Sequence, residues 1–327
     1  MLAQTMEVLI KGLVLVLLLM GAAAYMTFLE RVLMARMQLR LGPNRVGPFG
    51  LLQPIADGIK LLTKERFQPA GVETFTYWLA PSISAFLALF IFVLIPVGGT
   101  VEIWGHPIRL QIADVNAGIV FLLAFSSLAV YGVVLAGWSS NNRYSLLGGL
   151  RGTAQMISYE VPMGLALLTV ALSAGTLSLS EIVEAQKEHW FIWTNPVSFL
   201  IYLITGFAET NRSPFDLPEA EQELTAGYHT EYGGMKFAMF FLAEYINILA
   251  VSSIAVTLFF GGWHGPGDLP VVWFLVKIAF FVFFFMWVRA TIPRFRYDQL
   301  MSFGWKVLVP LATLNLIVTA YFILVWK

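Results

Sequence analysis

Long apolar runs separated by short polar stretches make up most of this chain. A helix needs about 20 apolar residues to cross the hydrocarbon core of a bilayer. We predict eight membrane-spanning runs, near residues 8–29, 75–97, 115–138, 153–172, 197–210, 237–260, 271–288 and 307–326. The pattern therefore predicts an all-α polytopic membrane protein. Because no polar linker interrupts it, we expect residues 1–327 to form a single integral membrane domain.

Residues 51–64 differ from the spans because their apolar side chains recur at helical spacing and leave a polar face. Leu51, Ile55, Ile59 and Leu62 repeat every three to four residues, and charged side chains share the opposite face. This spacing predicts an amphipathic helix that lies in the membrane interface or along another subunit. Taken alone, the simpler interpretation is a surface helix with a solvated charged face.

Composition supports a membrane protein and excludes several functions. The chain is 58% hydrophobic and only 12% charged, with a mean hydropathy of +0.75, whereas soluble domains are about 25% charged. The absence of cysteine excludes disulfides and cysteine-ligated iron–sulfur clusters. The four histidines lack metal-ligand spacing, so no metal site is predicted. Zero net charge without a basic stripe argues against nucleic acid as a partner.

The positive charges indicate an orientation. Most of the 20 Lys and Arg residues fall in loops on one side of the predicted spans. Cytoplasmic loops carry the excess of Lys and Arg in membrane proteins. With eight spans, both termini are then expected on the outer side of the membrane.

A carboxylate-rich stretch links the fifth and sixth spans, and further acids lie inside spans. A charge at the centre of a membrane helix costs about 2.5–3.5 kcal/mol by insertion scales. Acids at this depth therefore predict a proton relay. Its members would be Glu160, Glu209, Asp216, Glu219, Glu221, Glu223 and Glu244. The alternative for the loop is a surface helix that begins at Asp216 and ends at Gly227 and has a wet acidic face.

The loop after the seventh span mixes basic and aromatic residues. Arg289, Arg294, Arg296 and Tyr297 lie within eleven positions of the chain, 289–299. We expect them to anchor the cytoplasmic side of the membrane, and we predict that they also form an interface with a partner protein.

Four stretches together resemble one family. They are 30–65 with Gly-Pro-Asn-Arg-Val-Gly-Pro-Phe-Gly, 144–160, 209–245 with Ser-Pro-Phe-Asp-Leu-Pro-Glu-Ala-Glu-Gln-Glu-Leu, and 289–305 with Arg-Phe-Arg-Tyr-Asp-Gln-Leu. The chain resembles the H subunit of bacterial respiratory complex I, the proton-pumping NADH–quinone oxidoreductase (subunit 1 in mitochondria). The similarity extends over nearly the whole chain.

This resemblance implies a role in a bacterial cytoplasmic (inner) membrane complex. Quinone would be the substrate, and this chain would hold no cofactor permanently, since NADH, flavin and iron–sulfur clusters belong to partner subunits. The expected partners are peripheral-arm quinone-site subunits, small membrane subunits, antiporter-like subunits and lipid. The first predicted loop and the amphipathic helix would border the quinone chamber through Glu30, Arg31, Arg36, Arg40, Arg45, Asp57 and Lys60. The seven relay acids would form a funnel from that chamber to the proton path.

Three other functions fit parts of the pattern. The nearest is a homologous membrane subunit of an energy-converting hydrogenase or formate hydrogenlyase. A stand-alone proton-coupled transporter is a second, although no internal repeat is visible in the sequence. A purely structural anchor for the peripheral arm is a third, and it would leave the acids within the membrane unexplained.

Overall fold

The computed structural model describes residues 2–65, 67–103, 106–219, 221–267 and 269–326. Side chains are described for these residues except 2–4, 101–103, 106–108, 221, 222 and 326. Thirteen α-helices occur in this part of the chain: α1 Leu2–Met37, α2 Gln53–Thr63, α3 Thr74–Ile91, α4 Gly118–Ser139, α5 Arg143–Ala174, α6 Leu179–Ala185, α7 Phe191–Thr194, α8 Pro196–Glu209, α9 Glu221–Leu224, α10 Met235–Phe259, α11 Pro270–Thr291, α12 Tyr297–Phe303 and α13 Val309–Trp326.

Seven helical segments are long and apolar enough to cross a membrane within the described residues. They are α1, α3, α4, α5, α10, α11 and the continuous stretch Tyr297–Val325, which joins α12 to α13 through a π-helical turn at Gly304–Leu308. The prediction of a polytopic helical membrane protein is thus confirmed. The remaining apolar helix, α8, has 14 residues. It is about 21 Å long, shorter than the roughly 30 Å hydrocarbon core.

Several element boundaries differ from the predicted ones. Helix α1 continues to Met37, so Glu30, Arg31 and Arg36 lie on its last turns rather than in a loop. The amphipathic helix is present as α2. A short antiparallel hairpin also occurs, in which β1 (Thr100–Ile103) pairs with β2 (His106–Arg109) between α3 and α4. The sequence pattern did not indicate it.

The acidic loop does not form the helix predicted from Asp216 to Gly227. Residues 213–219 form turns and irregular backbone, and the α-helix in this part of the described chain is limited to Glu221–Leu224, with a 3₁₀ turn at Gly227–His229. Pro214 and Pro218 explain part of the difference, because proline lacks an N–H and disfavours helical geometry in the residue before it. The loop is instead held by α5, where the buried Gln155 donates its Nε2 to the carbonyls of Ala208 and Phe215 at 2.8 and 2.7 Å.

Small residues bring the helices near this loop close together. At Gly206 in α8, a Cβ would lie 2.6 Å from Val251 of α10, so the glycine permits close contact between the two helices. Helix α8 ends three residues later at Glu209. Its short length and close packing therefore put the Glu209 carboxyl inside the bundle, facing the middle of α10.

Candidate functional site

Four charged side chains from distant parts of the chain form a group that is buried except for the half-exposed Arg289, and we call it the central ion cluster: Glu30, Arg212, Glu244 and Arg289. The Nη1 atom of Arg212 lies 3.2 Å from Oε1 of Glu30. Its Nε contacts the Glu244 carboxylate, and Arg289 pairs with Glu30. Two positive and two negative charges offset one another, as buried charges require.

Tyr245 completes the central ion cluster from α10. Its hydroxyl donates to Oε2 of Glu30 at 2.9 Å, and the Arg212 guanidinium lies 4.4 Å from its ring centroid. Burial lowers the pKa of Arg212, but the nearby carboxylates of Glu244 and Glu30 raise it further, and the net pKa is above the usual value. Arg212 therefore stays charged at every physiological pH.

Glu219 lies beside this cluster in the acidic loop. It lines a cavity of about 30 Å³ together with Glu244, Asn211 and Asn247. Burial raises the pKa of Glu219 well above its usual range, and the carboxylates of Glu244 and Asp216 raise it further. Burial thus favours the protonated form of this carboxyl group, and a change in the local charge shifts its pKa.

Glu209 and Glu160 occupy the middle of the bundle. The buried Glu209 lines a second cavity, of about 40 Å³, with Ser126 of α4 and Asn247 of α10. Glu160 of α5 accepts a hydrogen bond from Ser127, the neighbour of Ser126. The two acids thus flank one pair of serines.

The three remaining predicted relay acids occupy different environments. Glu223 is exposed and pairs with Nη1 of Arg151 at 2.7 Å; that hydrogen bond lowers its pKa. Asp216 is half-buried, and its backbone carbonyl accepts from Arg294. The side chain of Glu221 lies outside the described residues. The structure thus places Glu219 beside Glu244 of the central ion cluster and leaves Glu223 at the surface.

A cleft of about 340 Å³ opens between α1, α2 and α10, and we call it the α1–α2–α10 cleft. Arg31, Asp57 and Lys60 line it on one side, and Phe241 and Tyr245 line it on the other. Arg31 Nη1 and Asp57 Oδ2 are 2.7 Å apart across its polar side. Since Tyr245 also bonds Glu30, this cleft adjoins the central ion cluster.

The other predicted chamber and interface residues lie outside the cleft. Arg36 is exposed on the last turn of α1, and Arg40 and Arg45 are exposed on the segment that leads from α1 to α2. Arg296 and Tyr297 are exposed at the start of α12. Arg289 and Arg294, by contrast, point inward, since Arg289 pairs with Glu30 and Arg294 donates to the Asp216 carbonyl.

A larger cavity, of about 560 Å³, lies between α8, α11 and α12. Its described lining includes Phe207, Phe284 and Phe303, and no Asp, Glu, Lys or Arg. A group that exchanges protons needs polar partners, so this cavity suits the predicted proton relay less than the smaller α1–α2–α10 cleft does. It is an apolar crevice within the membrane-spanning helices.

Two residues of the site were missed by sequence reasoning. Tyr245 and Asn247 follow Glu244 by one and three positions in an apolar run. Tyr245 lines the α1–α2–α10 cleft, whereas Asn247 lines the small cavity with Glu219 and Glu244. An isolated Asn within 25 helical residues of a membrane span is a signal that could have identified Asn247.

Comparison with known proteins identifies the family. Residues 10–320 match the family described as NADH dehydrogenase. The H subunit of the NADH-quinone oxidoreductase of Protochlamydia amoebophila is 82% identical over 304 residues, which is 93% of this chain and 94% of that relative. The chain belongs to the NADH dehydrogenase family. The resemblance predicted from the four sequence motifs is therefore confirmed.

More distant members of the NADH dehydrogenase family align over a similar length. One of the H subunits of the Geobacter sulfurreducens enzyme is 58% identical over 299 residues, 91% of both chains. The H subunit of the Thermomicrobium roseum enzyme is 52% identical over 315 residues, 93% of this chain and 92% of that relative. The full site described above lies within the residues that match the NADH dehydrogenase family.

Proposed function

We propose that this chain is the subunit of a bacterial NADH–quinone oxidoreductase that forms part of the quinone chamber and couples quinone reduction to proton translocation. One observation carries the proposal. Tyr245 lines the α1–α2–α10 cleft, and its hydroxyl donates a hydrogen bond to Glu30. The Tyr245 side chain alone would therefore separate a ligand in the cleft from the central ion cluster. The names of the relatives favour this complex over a hydrogenase-linked one.

Quinone is the proposed occupant of the α1–α2–α10 cleft. A cleft of about 340 Å³ falls in the range of roughly 300–1,000 Å³ that is common for small-molecule sites. Its apolar side would take the lipid-soluble part of a quinone, Arg31 or Lys60 could donate to a carbonyl oxygen of the quinone, and Asp57 could accept from a quinol hydroxyl. Quinone is a substrate in this proposal, and the flavin and iron–sulfur clusters that deliver its electrons belong to partner subunits.

Proton movement follows from the change in charge when quinone is reduced. Reduction to quinol takes up two electrons and two protons. A unit charge 10 Å from a carboxylate changes its energy by roughly 1.7 kcal/mol at an effective dielectric constant of 20. Since one pKa unit corresponds to about 1.4 kcal/mol, this change can drive a proton between neighbouring acids. Glu30, Glu244, Glu219, Glu209 and Glu160 supply a series of such acids from cleft to bundle centre.

Exposed basic and apolar surfaces support the proposed partners. The segment from α1 to α2 and the start of α12 carry exposed arginines on loops that the positive-inside rule assigns to the cytoplasm. We propose that the peripheral-arm subunits dock there. The chain would then lie in the bacterial inner membrane beside small and antiporter-like membrane subunits. Both termini lie outside in this proposal, which requires the short α8 to complete an eighth crossing.

Glutamine substitutions test the coupling. In the assembled complex, Glu209→Gln and Glu244→Gln each keep the shape of the side chain but remove the exchangeable carboxyl proton. We expect both to lower quinone-linked NADH oxidation and the accompanying proton pumping in proteoliposomes. Glu188→Gln, an exposed acid on the opposite loop, is the matched control and should have no effect. Unchanged rates and unchanged proton stoichiometry in both relay variants would refute the proposed function.

A further inference from the structure

Asn247 is the middle residue of the 25-residue helix α10, so it lies deep in the membrane-spanning bundle. A carboxamide carries two donor hydrogens and an acceptor oxygen. Within the described residues, no side chain or backbone group forms a hydrogen bond with this carboxamide. Asn247 is half-buried and borders two small cavities, and a polar group that has no protein partner within a helical bundle is satisfied by water. Asn247 therefore requires water.

The space for that water lies on two sides of Asn247. One side is the 40 Å³ cavity with Glu209, and the other is the 30 Å³ cavity with Glu219 and Glu244. A cavity needs only about 10–15 Å³ to hold a water molecule, together with two to four polar partners. Each of these cavities offers at least one carboxyl group as well as the Asn247 carboxamide.

Asn247 is also the polar link between the two cavities. Among the described residues that line them, only Asn247 and Ala129 line both. Ala129 has no hydrogen-bonding side chain, so it forms an apolar wall at the junction. Any hydrogen-bonded connection through this junction must therefore pass the Asn247 carboxamide.

We propose that Asn247 is a positioning residue that holds water on both sides and connects the Glu209 cavity with the cavity of Glu219 and Glu244. The inference rests on the proposed proton relay and assigns it a junction. The amide does not titrate and makes no covalent bond with the moving proton. Its oxygen accepts from one water while its NH₂ group donates to another, which aligns the waters that carry the proton between the acids.

Three variants of the assembled complex test this role. Asn247→Leu has nearly the same size but cannot bond water, whereas Asn247→Ser keeps a donor and an acceptor. We expect Asn247→Leu to lower proton-coupled quinone reduction about tenfold, the effect of raising a barrier by roughly one buried hydrogen bond. Asn247→Ser should retain most of the rate. Ala129→Leu, which narrows the junction from the opposite wall, should resemble Asn247→Leu.

Three further measurements separate positioning from structure. NADH oxidation by an artificial acceptor that bypasses quinone, and the amount of assembled complex, should stay normal in all three variants. The solvent deuterium isotope effect on quinone-linked turnover should increase in Asn247→Leu, because proton transfer becomes limiting. Equal losses in Asn247→Leu and Asn247→Ser, or loss of assembly in both, would overturn the positioning role.

The outcomes also separate this inference from the proposed function. If Glu209→Gln and Glu244→Gln impair pumping while Asn247→Leu pumps normally, the relay stands and the junction at Asn247 is wrong. If the two glutamine variants pump normally, the relay itself is wrong, and no role remains for Asn247 within it.

Discussion

Arg212 shows how a single residue can organise the site. Its guanidinium contacts Glu30, which is 182 residues earlier in the chain, as well as Glu244 of α10. Removing one partner from a buried ion pair costs about 3–5 kcal/mol, because a charge is then left without compensation. The turn that follows α8 is therefore fixed by charge pairing with α1 and α10, and Glu209 on its other side is positioned with it.

His229 leads to a prediction about pH. Burial lowers its pKa from 6.5 to about 4, and its Nδ1 is 3.9 Å from Glu219, too far for a hydrogen bond. Between these two values the unfolded chain binds a proton that the folded chain does not. The histidine therefore lowers stability as the pH falls from 6.5 towards 4, by at most about 3 kcal/mol. His229→Gln should lose less stability than the parent between pH 7 and pH 5.

Thermal melting of the purified complex at pH 7 and pH 5 measures this effect. His189→Gln removes an exposed histidine and serves as the control, which should melt like the parent at both values. A melting temperature that falls by the same amount in the parent and in His229→Gln would contradict the assignment of His229 as a buried, neutral group.

Some residues of the site could be identified from the sequence, and others could not. Glu209 and Glu244 were identified because acids are rare in apolar runs, and Glu219 because it belongs to the carboxylate-rich stretch between two spans. The structure places all three around neighbouring cavities. The pairing of Glu30 with Arg212 was not predictable, since it joins residues far apart in sequence. Asn247 was missed because an uncharged amide does not stand out in a charge pattern.

At the scale of elements, the acidic loop differs most from its sequence pattern. The sequence favoured a helix that begins at Asp216, but contacts with other helices determine the conformation of the loop instead. Tyr228 N donates to Pro218 O at 3.3 Å, and the Tyr77 hydroxyl of α3 donates to the Glu231 carbonyl at 2.7 Å. Long apolar helices were predictable because each satisfies its own backbone. A loop that depends on contacts with several helices was not.

Gly227 is the tightest point of this loop, and it gives the second prediction. Its φ is +59°, and a Cβ there would lie 1.7 Å from the Pro218 carbonyl oxygen. Left-handed geometry alone costs an L-residue about 1–2 kcal/mol, and the clash adds to it. Gly227→Ala should therefore open the loop and lower the amount of assembled complex seen on native gels. Gly233→Ala, whose Cβ would meet nothing within 4 Å, is the control. Normal assembly of Gly227→Ala would contradict this prediction, because the loop would then accommodate a Cβ beside Pro218 without losing its contacts.

Across the whole molecule, large apolar side chains are exposed for two different reasons. The outward faces of α1 and α11 carry exposed apolar side chains, as lipid contact requires. The segment from α1 to α2 is different, because it belongs to no long apolar helix. Leu39, Leu41 and Phe49 are 96%, 85% and 89% exposed there, among exposed arginines. We propose that these large apolar side chains, surrounded by basic ones, belong to the surface that binds the peripheral arm.

Phe49 gives the prediction that tests this surface. Its φ of +53° is unusual for a bulky residue and directs the ring outward beside Pro48. Aromatic residues of this kind often contribute about 2 kcal/mol or more to an interface. Phe49→Ala should therefore make the peripheral arm dissociate at lower salt or detergent concentration, measured by size-exclusion chromatography of the complex. Phe280→Ala, on the exposed face of α11, is the matched control and should leave the arm attached. Equal retention of the arm in both variants would place its binding surface elsewhere on the cytoplasmic side.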